Sequence, residues 1–476
     1  MSESQIATLL ETPQNLADRA LAARYAPIIL FDTNEPFLPL AAGYTIFCAG
    51  GLSPSFRQGH QIRVEPPAAL AIEYAIWWDW DIGHLYELEH VWVWVDAGGE
   101  IAGVRASWHG DQHDMRHGGR LRLEGTHPVV YSEPGKHAFA PTPEWFKKRA
   151  AEFKRPETSA LAGASGVLVT EYIRDGVRKT PFNDLLVRSY LAQQAFEPGW
   201  NFSNRFEFVP EMFVPWPALR AWMPGRVQGW LDRLARDLAP DQYRFWRIGH
   251  RGARAYAPDN TLTGFRRAAA LGADMVELDV QRTVDGQIAV IHDDHLIDAD
   301  GRVLFVRRSM LEALQAVDLG NGERVPTLQA ALDLCQAENI GAYVEIKDGG
   351  VIPALVELIR VHEHAGHCLF GSFRLDWIAE LKARVPQVGT SILFNSLHVD
   401  PVALARSAQA NYVHPCWERF DHSASLLAPE WMAGVREAGL GVICWHEERP
   451  VEIAALRQVG VDGICSDAPD LLLAEA

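Results

Sequence analysis

No apolar stretch in the 476-residue sequence reaches the ~18 residues that a membrane-spanning helix needs. The first residues, MSESQIATLLETPQNLADRA, also lack the basic segment and the apolar core of a secretion signal. From these two absences we expect a protein without a membrane span that is located in the cytoplasm.

Cysteine is scarce, and none of the six cysteines forms a CxxC pair. Several lie in apolar runs such as GVICW, which is typical of thiols that pack in a core. We therefore expect buried free thiols at Cys48, Cys335, Cys368, Cys416, Cys444 and Cys465.

Basic residues are too few to balance the acidic ones, since 44 Lys and Arg face 61 Asp and Glu, for a net charge of -17. Residues 1–250 hold 25 basic and 29 acidic groups, whereas the remaining residues hold 19 and 32. Such a surface repels phosphate backbones, so we expect no nucleic-acid partner. A local group of carboxylates could instead recruit a divalent cation.

The length exceeds what one hydrophobic core usually organises, which predicts two domains. From Gln329 onward, apolar strands alternate with amphipathic helical segments, as in AYVEIK followed by VIPALVELIRVHEHAG. This alternation indicates βαβ units and a parallel sheet. With RFWRIGH and DMVELDV upstream, about eight strands are expected, which favours a (β/α)8 TIM barrel over residues 241–476. An open, doubly wound sheet is the alternative.

The first part of the chain has a different pattern. Between Ala71 and Phe139, segments such as AIEYAIWWDW and HVWVWVDAGG are β-rich and loaded with tryptophan. We predict a β-rich, sandwich-like domain over residues 1–240, with the boundary near Ala239 to Arg244.

Two strands of the predicted barrel carry pairs of charged residues. Glu277 and Asp279 lie at i and i+2 in MVELDV, and period two places both on one face of the strand. Glu345 and Lys347 repeat this spacing in YVEIK. Three carboxylates without a thiolate suit Mg²⁺, Ca²⁺ or Mn²⁺, so we predict a site for one of these ions.

Two histidines follow apolar strands in the same region, His250 after FWRIG and His292 after QIAVI. In barrels the residues at the carboxyl ends of strands form the active site. Two histidines and a metal can perform acid and base catalysis on a phosphodiester. Arg251 and Lys347 could hold the non-bridging oxygens of that substrate.

Six segments resemble, in chain order, the signature blocks of the glycerophosphodiester phosphodiesterase family. They are HRG, APDNT, LGADMVELDV, DGQIAVIHDD, VPTLQAALDL and YVEIK. The resemblance covers about Arg247 to Asp470. It implies a phosphoric diester hydrolase of glycerol and lipid metabolism that releases glycerol 3-phosphate and an alcohol. The roles it implies are acid and base for His250 and His292, metal ligands for Glu277, Asp279 and Glu345, and a phosphate clamp for Arg251 and Lys347.

Trp445, at the end of GVICW, occupies the place where the family often keeps an aromatic residue against the glycerol. Barrel packing is the alternative role for this side chain. The sequence departs from the family pattern in two places, and the second, which borders the site in the family, bears on substrate choice. Asp259 stands where the family usually has glutamate, and the segment His295 to Arg324 is short and lacks the usual Asp-Arg-Thr-Thr.

A second resemblance lies in DIGHLYELEHVW, which is similar to the GHRHDWE motif of the necrosis-inducing protein family. His84, Glu87 and Glu89 match its His, Asp and Glu, whereas Tyr86 replaces its second His. Because the motif binds a divalent metal in that family, the resemblance implies a second metal site at His84, Glu87 and Glu89.

Two hypotheses of function follow. The first is an enzyme that hydrolyses small glycerophosphodiesters or lysophospholipids, with the first domain presenting substrate or regulating access. The second is a binding protein with an inactive barrel and a tryptophan-rich domain that recognises lipid or carbohydrate. The complete set of His, carboxylate and Lys residues favours the enzyme.

Overall fold

The computed structural model of the chain describes residues 7, 9–11, 15–56, 59–146 and 161–473. The chain divides into two compact units, Met1–Lys179 with Leu186–Leu238, and Thr180–Leu185 with Ala239–Ala476. The segment Thr180–Leu185 thus groups with the second unit, outside the predicted boundary at residues 240 and 241. Its Phe182 ring lies 6.0 Å from the Tyr243 ring and 4.6 Å from the Arg436 guanidinium. That 1–240 and 241–476 are separate domains stays a prediction.

The first unit is rich in β-sheet, as predicted. Its helices are α1 (Leu16–Arg24), the part of α2 (Pro181–Gln193) from Leu186 onward, and α3 (Trp216–Asp237). Its strands are β1 (Ile28–Phe31), β2 (Ala41–Phe47), β3 (Gly51–Leu52), β4 (Gln61–Ile62), β5 (Ala68–Trp80), β6 (His84–Asp96), β7 (Ile101–Trp108), β8 (Asp111–Asp114), β9 (Leu123–Glu124), β10 (His127–Ser132), β11 (Phe139–Ala140), β12 (Gly166–Val167), β13 (Asn204–Phe206) and β14 (Phe213–Pro215).

Two sheets organise this unit. One has the order β14-β2-β5-β6-β7-β8, and the other has the order β11-β10-β1-β13. The tryptophan-rich strand β5 lies between β2 and β6 within its sheet, and its residues from Ala71 to Trp80 are buried. The Trp78 ring of β5 lies 6.2 Å from the Phe139 ring of β11, so the two sheets pack through aromatic side chains.

The second unit alternates strands and helices. Its strands are β15 (Trp246–Gly249), β16 (Met275–Arg282), β17 (Ile288–Val290), β18 (His295–Ile297), β19 (Val303–Phe305), β20 (Gly341–Ile346), β21 (Cys368–Ser372), β22 (Gly389–Phe394), β23 (Tyr412–Pro415), β24 (Gly441–Cys444) and β25 (Gly463–Ser466). Its helices are α4 (Leu262–Ala270), α5 (Leu311–Gln315), α6 (Leu328–Glu338), α7 (Ile352–Val361), α8 (Leu375–Arg384), α9 (Pro401–Ala408), α10 (Pro429–Glu437) and α11 (Pro450–Val459).

Eight parallel strands close into a barrel in the order β15-β25-β24-β23-β22-β21-β20-β16, because β15 pairs with both β25 and β16. The barrel prediction is confirmed, and the open-sheet alternative is wrong. The segment QIAVI forms β17, which pairs antiparallel with β16 and is not one of the eight parallel strands.

The barrel interior explains how the active-site side chains are placed. One buried cluster includes Ile248, Met275, Tyr343 and Cys465, each from a different strand. Because side chains alternate along a strand, the residues two positions further on point to the same side. Those residues are His250, Glu277, Glu345 and Asp467.

All six cysteines are free, as predicted, and five are buried. The prediction of burial is wrong for Cys48, which directly follows β2 and is exposed. Among the helices of the described residues, none is both long and apolar enough to cross a membrane.

Candidate active site

Three carboxylates meet at the carboxyl ends of two neighbouring barrel strands. Glu277 and Asp279 lie on β16 and Glu345 on β20, with Asp279 and Glu345 directly opposite in the parallel register. All three are fully buried, and their ligand atoms lie within 4.8 Å of one another. Glu277 Oε1 and Glu345 Oε2 have no hydrogen-bond partner among the described residues.

Burial makes the negative charge of this group costly. Burial raises the pKa of Glu277 well above its usual value, and the neighbouring Asp279 and Glu345 raise it further. Burial and Asp279 also raise the pKa of Glu345 to about 7. Buried carboxylates stay ionised only when paired or bound to metal, so the orphaned oxygens of this site fit a hard divalent ion.

Two cationic side chains offset part of the negative charge. Lys347 Nζ lies 2.7 Å from Glu345 Oε1 and 3.4 Å from Asp279 Oδ1. Arg251 Nε lies 3.5 Å from Asp279 Oδ2, and Arg251 Nη1 lies 3.0 Å from Asp259 Oδ2. Asp259, which is shorter than the glutamate usual in the family, therefore still reaches Arg251. The structure brings both predicted clamp residues to the carboxylate group.

The loop after β15 supports the same carboxylates through its backbone and side chains. The Arg251 N–H donates to Glu277 Oε2 at 2.9 Å. Asn260 donates to Asp279 Oδ2 at 2.9 Å and accepts from the Asp279 N–H at 3.1 Å. Gly252 has a φ of 94° there, and a Cβ on it would lie 2.7 Å from the Gly264 carbonyl carbon, so the turn requires glycine.

His250 is oriented through its Nδ1, whereas its buried Nε2 has no hydrogen-bond partner among the described residues. Its Nδ1 lies 2.5 Å from Asp467 Oδ1, and its Nε2 lies 4.0 Å from Glu277 Oε2. The ring is 2% exposed, and burial lowers the pKa of His250 below its usual value. A neutral imidazole oriented by a carboxylate is suited to accept a proton.

Asp467 was not predicted from the sequence. In DGICSD, Asp467 comes two residues after Cys465. Glu277 comes two residues after Met275 in the same way. That spacing is the signal by which Asp467 could have been found.

The backbone around His292 is hydrogen-bonded to β16. The Ile291 N–H donates to the Asp279 carbonyl at 2.8 Å. The Gln281 side chain donates to the carbonyls of His292 and Asp293 at 3.0 and 2.7 Å. The side chain of His292 is 34% exposed, and its Nδ1 lies 2.7 Å from Asp293 Oδ1.

Trp445 lies at the mouth of the barrel against His250, with 4.6 Å between ring centroids. This position is compatible with both the glycerol contact and the packing role considered for it. The next residue, His446, also contacts His250, and sequence reasoning did not select it.

The predicted second metal site divides in the structure. His84 Nε2 lies 3.6 Å from Glu87 Oε2, and the two residues group with Asp81 as possible metal ligands. Glu89 is outside that group and accepts a hydrogen bond from Ser107. Lys136 Nζ lies 2.7 Å from Asp81 Oδ1 and supplies a competing positive charge. His84, Glu87 and Glu89 line one cavity of about 520 Å³.

Comparisons with known proteins concern the second unit. Residues 250–471 match the family model of the glycerophosphoryl diester phosphodiesterase family. A glycerophosphodiester phosphodiesterase of Caldanaerobacter subterraneus is 30% identical over 238 residues, which cover 48% of this chain and 95% of the relative. The YhdW protein of Bacillus subtilis, named provisionally for the same activity, is 32% identical over 241 residues, covering 48% and 96%.

A solved structure from Silicibacter pomeroyi, described provisionally as a glycerophosphoryl diester phosphodiesterase, is 25% identical to this chain. The match covers 47% of this chain and 90% of that one, with a TM-score of 0.43.

Proposed function

Since the chain belongs to the glycerophosphodiester phosphodiesterase family and is a phosphoric diester hydrolase, we propose that its second unit hydrolyses glycerophosphodiesters by metal-dependent His acid–base catalysis. The products are glycerol 3-phosphate and an alcohol. One observation carries the proposal: three fully buried carboxylates with orphaned oxygens lie beside an imidazole that a fourth carboxylate orients.

Glu277, Asp279 and Glu345 would hold Mg²⁺, Ca²⁺ or Mn²⁺. When such an ion is bound, the chemistry it supplies is withdrawal of charge from a non-bridging phosphoryl oxygen. Arg251 and Lys347, which lie against the same carboxylates, would contact the phosphoryl oxygens from the protein side.

His250 and His292 would act as the proton-transfer pair. The neutral Nε2 of His250 accepts a proton from the attacking nucleophile, while Asp467 holds Nδ1 and stabilises the imidazolium that forms. His292 would protonate the departing alcohol. The two histidines follow β15 and β17, which both pair with the edge of β16 that lies opposite β20.

Trp445 would pack against the glycerol carbons, since its ring lies beside His250 and is only partly buried. Substituting it with alanine would then weaken binding of glycerol-containing substrates more than binding of other phosphodiesters.

A lysophospholipid is a second candidate substrate, and one observation favours it. The β18–β19 hairpin begins three residues after His292 and pairs Ile297 with Val303. Ile297, Val303 and Phe305 are 59%, 50% and 44% exposed, whereas Leu296 and Leu304 pack inward. An acyl chain could cover this apolar face next to the site.

A panel of phosphodiesters tests the proposal. Full-length protein with Mg²⁺, Ca²⁺ or Mn²⁺ should release glycerol 3-phosphate from glycerophosphocholine, glycerophosphoethanolamine or lysophosphatidylcholine. Release of phosphocholine in place of glycerol 3-phosphate would contradict the assigned cleavage position. Absence of any turnover would favour the inactive-barrel alternative.

For the first unit we propose that His84 and Glu87, with Asp81, bind a second divalent ion, and that the unit presents substrate or regulates access. Asp81 is fully buried, and its Oδ2 has no hydrogen-bond partner among the described residues. Titration with Mn²⁺ should find two sites, of which Glu87→Gln removes one and Glu277→Gln the other. A single site in the wild type, or two sites that both persist in Glu87→Gln, would sink this second assignment.

A further inference from the structure

His446 lies directly against the proposed base. Its ring stacks on that of His250, with centroids 4.9 Å apart and an interplanar angle of 14°. The His446 side chain is 24% exposed, whereas that of His250 is 2% exposed. A second imidazole, more accessible to solvent than the first, therefore lies at the site.

A carboxylate orients His446 in the same way as Asp467 orients His250. His446 Nδ1 lies 3.0 Å from Glu448 Oε2, and Glu448 Oε1 accepts the Asp467 N–H at 2.7 Å. Each imidazole thus contacts a carboxylate through its own Nδ1, and the two carboxylate residues, Asp467 and Glu448, are hydrogen-bonded to each other. Because Nε2 lies across the ring from Nδ1, both Nε2 atoms face away from these carboxylates. For His250 that direction leads to Glu277.

The carboxylates around His446 favour the protonated form of its ring. Although burial opposes it, the carboxylates of Glu448, Asp467 and Glu418 raise the pKa of His446 above its usual value. The other titratable group that faces it is His250. The contacts of His446 with Glu448 are made through Nδ1, and among the described residues Nε2 has no hydrogen-bond partner, so in the protonated ring its N–H is left to donate.

The other cations of the site are more heavily engaged. Lys347 lies between Glu345 and Asp279, and Arg251 lies between Asp259 and Asp279. Each therefore has carboxylates competing with a phosphoryl group for its N–H donors. A phosphodiester anion has two non-bridging oxygens, and the phosphate of glycerol 3-phosphate has three. An additional donor of positive charge is suited to such a group.

We propose that His446 is a substrate-binding residue that donates through Nε2 to a non-bridging phosphoryl oxygen of the substrate and to the phosphate of the product. Glu448 acts as its positioning residue. The inference rests on the proposed function, since it assumes that the barrel binds a glycerophosphodiester.

Binding of glycerol 3-phosphate to the full-length chain, measured by calorimetry, tests this role. A hydrogen bond to a charged group contributes about 1.5–3 kcal/mol, so His446→Gln should weaken binding by roughly 10- to 100-fold. Glycerol, which lacks the phosphate, should bind wild type and variant alike. In turnover assays the variant should raise KM more than it lowers kcat, and Glu448→Gln should give a smaller change in the same direction.

His362→Gln is the matched control, because His362 also pairs with a carboxylate, Asp333, but follows the carboxyl end of α7. This control should bind glycerol 3-phosphate like wild type. Unchanged affinity in folded His446→Gln, an equal loss for glycerol, or a loss confined to kcat would each overturn the assignment. Failure of the proposed function would differ, because wild type would then bind glycerol 3-phosphate without hydrolysing any glycerophosphodiester.

Discussion

Asp467 Oδ1 lies 2.5 Å from Nδ1 of His250, although the two residues are 217 positions apart in the chain. Closure of the barrel produces this contact, because β25 pairs with β15 in parallel register. The pair fixes which ring nitrogen of His250 faces Glu277.

Replacing Asp467 by asparagine should remove the charge that stabilises protonated His250 while keeping a side chain of similar size. By analogy with other His–carboxylate pairs, kcat should fall by roughly 10²- to 10⁴-fold with little change in KM. Asp470→Asn is the control, since Asp470 pairs with Tyr256 on the surface. Steady-state kinetics should give kcat and KM for both variants. A kcat within threefold of wild type for Asp467→Asn would contradict the orienting role of Asp467.

His250→Ala and His292→Ala should each lower turnover by about 10²- to 10⁴-fold without unfolding the chain, because general acid–base groups contribute that much. His295→Ala is a close control for His292. Both histidines have Nδ1 2.7 Å from a neighbouring aspartate, Asp294 for His295 and Asp293 for His292. Equal rates for His292→Ala and His295→Ala would remove His292 from the mechanism.

In metal-free protein, the carboxylates should make stability depend on pH. The pKa of Glu345 is raised to about 7, so the folded state binds its proton more tightly than the unfolded state does. This proton adds to the free energy of unfolding, on the order of 3 kcal/mol in total. The added stability is fully present below the ordinary pKa of about 4.5 and is lost as pH rises to about 7. Thermal unfolding of chelator-treated protein at pH 5 and pH 8 measures this loss. Glu345→Gln should reduce the change in thermal stability between pH 5 and pH 8. If that change is the same in the variant, groups other than Glu345 cause it.

The carboxylate group was accessible to sequence reasoning, whereas the partners of His250 were not. Glu277, Asp279 and Glu345 could be predicted because period two along a strand decides which side chains share a face. Asp467 and His446 reach His250 only through strand pairing between distant segments, and no local pattern encodes which strands become neighbours.

The first unit shows a different obstacle. Strict alternation along β6 would place His84 and Glu87 on opposite faces, yet they lie 3.6 Å apart. Tyr86 between them has a φ of 60°, which interrupts the alternation. Tyrosine rarely adopts that conformation, so the sequence gives no sign of it.

Residues 241–476 alone should hydrolyse a small glycerophosphodiester, because every proposed catalytic residue lies within them. This fragment lacks Thr180–Leu185, so Phe182 no longer contacts Tyr243 and Arg436. Its melting temperature should therefore be lower than that of the barrel unit in the full chain. Comparing turnover of fragment and full chain on glycerophosphocholine and on a lysophospholipid tests whether the first unit governs access. A folded fragment inactive on both would show that the first unit completes the site, and an equal effect on both substrates would remove the access hypothesis.

Metal dependence at the three carboxylates is measured most directly by removing and restoring the ion in one sample. Chelator-treated full-length protein should lose release of glycerol 3-phosphate from glycerophosphocholine, and Mg²⁺, Ca²⁺ or Mn²⁺ should restore it with saturation at a single site. Glu345→Gln should need a higher metal concentration for half-maximal rate, because one ligand oxygen loses its charge. Full activity in strong chelator, or an unchanged metal requirement in Glu345→Gln, would contradict the account.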